Sequence, residues 1–552
     1  MNPHRRFGTG LAGCLITVAL LVSACGNDPT TQGSGSAPGP SPSAQTPAQP
    51  TTSPQPTTSP EPATSPQPTT SPEPATSPQP ATGPSEPITS SEPGVEPSQP
   101  GTGGQEQVES GSLRFQDCGE MYLCASLEVP ADHRNPDAGT VTLELGMLPA
   151  RDREQRIGVL LVNPGGPGGD MNSFLDYNAG LSRRLLERFD VVGWNPRGVM
   201  GSVPHGCSDE TNRFMLVDPL PDSPQEQSAL DEAARTAAEA CLEGLGKYAG
   251  LIGTTHTVAD MDSIRQALGE ETISYFGFSY GAQLGLLYAD RYGTNLRAIV
   301  LDGPTDPTLE PIEMGVGQLR GFARVIADLF DTCRRDSDCP VPGDPETAYE
   351  NLMAQVEVTP LRDSNGDVLV GPAEVELALT TAAYDPYLWS SFYRGLASAL
   401  RGDGEMLNDM AMWYLEGSDS GSFVSIGCAD SGPLTRDDLQ DAMVRFGEVA
   451  GDFGRSAIQS ALPCLHWPET DPLPGGPIRA PDTPSVLVLG NRGDNATPYE
   501  WAAAVAEMLE HGTLLTYNGK GHLSYGRSRC VDEVVDDYLI DLVLPTGNQE
   551  CD

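Results

Sequence analysis

The sequence predicts an α/β fold, a mostly parallel sheet with helices on both faces and a largely helical insertion between two of its strands. Three observations carry this reading. Short apolar runs alternate with helically spaced segments from 124 to 301. The alternation stops from about 306 to 481 and resumes from 485 to 543. A Gly-x-Ser-x-Gly pentapeptide, Gly277-Phe278-Ser279-Tyr280-Gly281, falls where a predicted strand meets a predicted helix. Strands alternating with helices imply right-handed crossovers and a sheet covered on both sides.

The elements follow in order. Cys124 to Pro130 and Thr140 to Leu148 alternate as strands do, with the turn-rich Asp132-His133-Arg134-Asn135-Pro136-Asp137 between them. Ile157 to Val162 is a continuous apolar run, which suits a strand buried on both faces of a parallel sheet. It leads into Asn163-Pro164-Gly165-Gly166-Pro167-Gly168-Gly169-Asp170. Phe189 to Trp194 is the next strand and ends in Asn195-Pro196-Arg197-Gly198. Val258 to Leu268 has helical spacing, with Met261, Ile264 and Leu268 on one side. Thr272 to Phe278 is a strand, Ala282 to Tyr292 a helix and Leu296 to Leu301 a strand.

From 306 to 481 the spacing is mostly helical, and this segment is expected to cap the C-terminal edge of the sheet, where such sheets bind ligands. Strand Ser485 to Leu489, helix Tyr499 to Leu509, strand Thr513 to Tyr517 and helix Val531 to Val543 complete the pattern. The catalytic region is thus expected in two core parts, 108–305 and 482–552, flanking the cap.

The N-terminal end reads differently. Arg5 and Arg6 precede an apolar run from Leu11 to Val22, which ends in Val22-Ser23-Ala24-Cys25. A basic head, a short apolar stretch and small residues make a secretory leader over 1–24, too short to span a bilayer comfortably. Cys25 after those small residues resembles a bacterial lipobox, so lipidation at Cys25 and anchoring to the outer face of the cell membrane are expected. Residues 25–107 are rich in Pro, Ser, Thr and Gln, with a six-residue repeat from Thr51 to Pro80. Frequent proline blocks ladders, and little apolar surface is available to offset ordering. This stretch reads as a tether of ~3 Å per residue when extended.

The formal charge of −44 argues against nucleic acid as a partner. Cysteine usage agrees with export. Beyond Cys14 and Cys25 stand Cys118, Cys124, Cys207, Cys241, Cys333, Cys339, Cys428, Cys464, Cys530 and Cys551. An even set outside the cytoplasm suggests disulfides, and pairing of sequence neighbours is the simplest of many arrangements. The spacing does not suit zinc, and no metal or organic cofactor is expected.

The chemistry centres on Ser279. A sharp strand-to-helix turn lifts its hydroxyl above the sheet edge, and the following helix turns its positive end toward it. A serine hydroxyl needs a base. Among His133, His205, His256, His466, His511 and His522, only His522 follows a strand near the C-terminus. Asp494, in the loop after the Val486–Leu489 run, is the candidate carboxylate that fixes the imidazole. The order Ser279, Asp494, His522 is that of α/β-hydrolases. The backbone N–H of Tyr280 is one expected oxyanion donor. Gly166 is the other, with Gly165 as its rival.

Taken together, Asn163-Pro-Gly-Gly-Pro-Gly-Gly, Asn195-Pro-Arg-Gly, Gly277-Phe-Ser-Tyr-Gly, Gly490 to Pro498 and Gly521-His522-Leu-Ser-Tyr-Gly526 resemble the actinobacterial tripeptidyl aminopeptidase family, secreted or lipid-anchored α/β-hydrolases related to prolyl aminopeptidases. The resemblance runs from about Cys118 to Cys551, and its last part is similar to that family's TAP-like C-terminal domain. It implies a serine peptidase that removes short peptides, tripeptides by the family's name, from free N-termini. A carboxylesterase or lipase using the same triad is the alternative, and a non-catalytic binding lipoprotein a more distant one. Two positions depart from the family pattern. Asn495 follows Asp494 where relatives usually have proline, and Leu523 follows His522 where glycine is common. Neither removes a catalytic atom. A free α-ammonium also calls for a carboxylate facing the pocket, and Asp430, beside Cys428, is a candidate for that contact, set against a solvated aspartate.

Overall fold

The computed structural model describes residues 107–552 apart from 418, 433, 469, 471 and 548. The leader, Cys25 and nearly all of the Pro-rich tether lie outside the described residues. Gln107, expected to end the tether, is instead the first residue of a strand.

Among the described residues the sheet has eleven strands. Antiparallel β1 (Gln107–Ser110), β2 (Leu113–Asp117), β3 (Leu123–Pro130) and β4 (Thr140–Leu148) lead into the parallel part. That part comprises β5 (Gly158–Asn163), β6 (Phe189–Trp194), β7 (Ile273–Phe278) and β8 (Leu296–Asp302), followed after the insertion by three more strands. A two-residue β9 (Leu361–Arg362) and β10 (Val368–Val370) form a separate hairpin inside the insertion. The main sheet then continues with β11 (Val486–Gly493), β12 (Gly512–Lys520) and β13 (Gln549–Cys551), in the spatial order β1-β2-β3-β4-β6-β5-β7-β8-β11-β12-β13. β5, β6 and β7 are buried at every residue, which explains their unbroken apolar runs. The fold is therefore an α/β-hydrolase arrangement, with a mostly parallel sheet and helices on both faces.

The segment between β8 and β11 is helical apart from the β9–β10 hairpin and loops. It contains Pro311–Arg335, Pro345–Val358, Pro372–Tyr384, Trp389–Ala399, Glu405–Glu416, Ser420–Ser431 and Arg436–Ser456. Three of these helices begin with proline in the first turn, where a missing N–H costs nothing. The helix Pro311–Arg335 buries a stripe through Leu319, Phe322, Val325 and Leu329, the spacing of one helix face. Among the described residues no helix is long and apolar enough to cross a membrane.

Among the described residues five disulfides join sequence neighbours: Cys118–Cys124, Cys207–Cys241, Cys333–Cys339, Cys428–Cys464 and Cys530–Cys551. Arg197 of the Asn-Pro-Arg-Gly motif is 1% exposed. Its guanidinium donates to both oxygens of Asp260 and to the carbonyls of Pro130, Ala131 and Leu251. A charge buried this deeply requires such saturation, and here it fastens the loop after β6 to the end of β3.

Candidate active site

The site is built at the C-terminal edge of the parallel strands. β7 ends at Phe278, and Ser279 takes φ 57° and ψ −118° before the helix Tyr280–Tyr292 begins. A side chain rarely tolerates this conformation, and the surroundings hold it there. The Ser279 N–H donates to the Asp302 carbonyl at 2.8 Å. The flanking glycines are required by contact. A Cβ on Gly277 would lie 2.1 Å from the Gly281 carbonyl oxygen, and one on Gly281 would lie 2.4 Å from that of Asn163.

His522 Nε2 stands 3.0 Å from Ser279 Oγ. Its Nδ1 lies 2.9 and 3.0 Å from the two oxygens of Asp494. Asp494 is itself fixed. Its Oδ1 accepts the N–H groups of Ala496 and Thr497, and its Oδ2 accepts that of Leu523. With this many donors the carboxylate is held in one orientation facing Nδ1, which keeps the imidazole proton there and leaves Nε2 to accept from the serine. All three side chains are buried, at 0% for Ser279 and Asp494 and 3% for His522.

The base loop has its own supports. Asn491 donates to the carbonyls of Gly521 and Leu523. Asp302, at the end of β8, accepts the N–H groups of Ser524 and Tyr525. Burial pushes Asp302 up to about 6, against those donors. From the inserted helices, the Tyr384 carbonyl accepts the His522 N–H at 3.1 Å, and the two rings meet edge to face at 5.9 Å. The sequence reading missed Asn491, Asp302 and Tyr384. The only signal for Asp302 was its place at a strand end.

Gly166 and Tyr280 line one cavity of about 490 Å³ together with Pro167, Gln283, Asp430 and Trp501. The Gly165 N–H is already taken by the Asn163 side chain at 3.0 Å. That of Tyr280, in the first turn of its helix, has no intrahelical acceptor. Asp430 is 2% exposed and so is not a solvated acid. It accepts the Thr254 N–H at 2.7 Å on Oδ1 and the Thr254 hydroxyl at 2.5 Å on Oδ2, and the Tyr280 hydroxyl lies 2.6 Å from the Thr254 Oγ1. Burial pushes Asp430 up to about 7.

Comparison with known proteins follows the same lines. The family described as TAP-like protein matches residues 449–551, from the last long inserted helix to β13. Serine protease Hip1 of Mycobacterium tuberculosis is 31% identical over 457 residues, covering 78% of this chain and 87% of Hip1. Carboxylesterase B of the same species is 32% identical over 459 residues, covering 78% of this chain and 86% of that protein. Tripeptidyl aminopeptidase of Streptomyces lividans is 27% identical over 438 residues, covering 76% and 81% of the two chains. The chain belongs to the TAP-like family of α/β-hydrolases that includes Hip1.

Proposed function

We propose that the chain is an exported serine peptidase that removes short peptides, tripeptides by preference, from free N-termini through an acyl-enzyme. The observation that carries this reading is the buried Ser279–His522–Asp494 hydrogen-bond chain at the sheet edge. Ser279 Oγ attacks the scissile carbonyl carbon as its proton passes to His522 Nε2. Asp494 stabilises the imidazolium. The Tyr280 and Gly166 amides hold the oxyanion, and the engagement of the Gly165 N–H by Asn163 favours Gly166 over its neighbour. His522 then returns the proton to the leaving amine, the new N-terminus departs, and water repeats the cycle on the ester.

Segment 306–481 caps the site, and Asp430 forms part of the pocket wall beside the oxyanion amides. Through Thr254, Asp430 also positions Tyr280. Leader cleavage before Cys25 and lipidation of that thiol place the enzyme on the outer face of the membrane, at the end of its tether. Two relatives are named serine protease and tripeptidyl aminopeptidase, which supports a peptide substrate. The relative named carboxylesterase B supports the second reading, an esterase with the same triad.

Matched tripeptide anilides, free or acetylated at the N-terminus, and a short-chain ester separate the two. Cleavage of the free-amine peptide over its acetylated partner, lost in Ser279→Ala, is the expected result. Ester cleavage with neither peptide cut makes the enzyme an esterase.

A further inference from the structure

A second histidine–carboxylate pair lies outside the triad. His205, in the loop after β6, is 3% exposed, and its Nε2 stands 2.8 Å from Asp419 Oδ2. Its Nδ1 accepts the Cys207 N–H at 3.2 Å, so the ring carries its proton on Nε2 and donates it to the carboxylate. Ser422 completes the group. Its hydroxyl lies 2.6 Å from the Gly198 carbonyl and 2.7 Å from Asp419 Oδ2. The imidazole nitrogen nearest this serine, Nε2 at 3.2 Å, already carries a proton, so Ser422 has no base and the set is no second nucleophile. Two glycines make room for the histidine. A Cβ on Gly421 would lie 2.3 Å from His205 Cε1, and one on Gly244, in the helix Pro224–Leu245, would lie 1.6 Å from the His205 carbonyl oxygen.

Asp419 is where this pair meets the active site. It caps the inserted helix Ser420–Ser431, its Oδ1 accepting the Gly421 N–H at 3.2 Å and the Ser208 hydroxyl at 2.7 Å. Its own N–H donates to the Gly168 carbonyl at 3.3 Å, in the glycine-rich loop after β5. That loop is one tight turn. The Gly169 N–H donates back to the Gly165 carbonyl at 3.1 Å, and a Cβ on Gly166 would lie 2.7 Å from the nitrogens of both Gly168 and Gly169. A turn packed this closely moves as a unit, so what holds Gly168 also holds Gly166. Further along the capped helix, Gly427 and Asp430 line the cavity that Gly166 and Tyr280 share.

We infer that Asp419, oriented by His205 and Ser422, is a positioning residue for the oxyanion hole: it holds the Gly165–Gly169 turn so that the Gly166 amide faces the developing oxyanion. The inference rests on the assignment of the Gly166 amide, which the peptidase and esterase readings share. A helix cap alone needs one acceptor oxygen, and asparagine supplies it as well as aspartate does. Positioning needs both oxygens, because Oδ1 serves the helix and Ser208 while Oδ2 meets His205 and Ser422.

The test compares two inhibitors of one shape on the purified protein. In a short-chain trifluoromethyl ketone the carbonyl carbon bonds to Ser279 Oγ, the serine proton passes to His522, and the carbonyl oxygen becomes an oxyanion in the hole. The corresponding trifluoromethyl alcohol cannot form this adduct. In wild type the ketone is expected to bind far more tightly than the alcohol. In Asp419→Asn, which when turned to cap the helix sets its NH2 against the His205 Nε2–H, the ratio of the two Ki values is expected to fall about tenfold with the Ki of the alcohol unchanged. Asp419→Ala is expected to show the same fall. Ser422→Ala, which removes a partner of Oδ2 with little change in volume, is expected to lower the ratio about threefold and decides the matter if neither Asp419 variant folds. A ratio equal to wild type in the folded variants overturns the positioning role and makes Asp419 a helix cap only. A wild-type ratio near one overturns the oxyanion assignment, and the positioning role with it.

Discussion

Tyr384 holds His522 at two points: its carbonyl accepts the histidine N–H at 3.1 Å, and its ring meets the imidazole edge to face at 5.9 Å. The base of the triad is therefore positioned in part by a residue that lies outside the sheet, at the end of an inserted helix. An insertion that moved away from the sheet would loosen the imidazole as well as uncover the pocket.

Removing the Tyr384 ring tests this dependence. An edge-to-face pair contributes ~0.5–1.5 kcal/mol beyond its buried area. Tyr384→Ala is expected to lower the rate of fluorophosphonate labelling at Ser279 about tenfold while the protein still folds. A labelling rate equal to wild type would make the contact incidental.

Asp302 supports the same loop from below. Its Oδ2 accepts the Tyr525 N–H and its Oδ1 and Oδ2 share that of Ser524, so an amide in its place sets its NH2 against the Ser524 N–H. Asp302→Asn should turn one N–H donor against another and shift the His522 loop. The expected outcome is a kcat lower by roughly 10- to 100-fold with KM changed much less. A fall in KM-dependent terms alone would assign Asp302 to the pocket rather than to the base.

Asp430 sets a pH dependence. Its pKa is raised from 3.8 to about 7, chiefly by burial. Between those values the folded chain retains a proton that the unfolded chain has released, so stability from this group is full below pH ~4 and lost as pH rises toward 7. Asp430→Asn removes that loss. The difference in Tm between variant and wild type should therefore grow in favour of the variant from pH 4 to pH 8. A constant difference would show that Asp430 does not titrate in this window.

Much of this arrangement was legible in the sequence, for local reasons. Unbroken apolar runs mark β5, β6 and β7 because both faces of those strands are buried. The Ser279 turn announces itself because only glycine fits at Gly277 and Gly281. Asp494 and His522 each follow a strand. By contrast β1 and β2 were not read, because β1 is Gln-Val-Glu-Ser at a sheet edge and carries almost no apolar signal. β13 is three residues long, and its outermost position is fixed partly by the Cys530–Cys551 disulfide. Thr254, Asp302 and Tyr384 were also invisible. Each acts through a partner that tertiary packing brings to it, and Tyr384 lies 138 positions from its partner His522. No spacing rule along the chain reports such a contact.

The most direct test of the account is to catch the covalent intermediate. The purified protein would be mixed with an activated ester of a free-amine tripeptide, quenched in acid within the first turnover, digested and analysed by mass spectrometry. The account predicts a tripeptidyl adduct on the peptide that contains Ser279, absent in Ser279→Ala and accumulating in His522→Ala only at a much reduced rate. Turnover of the ester with no adduct on Ser279, or with an adduct on another residue, would contradict it.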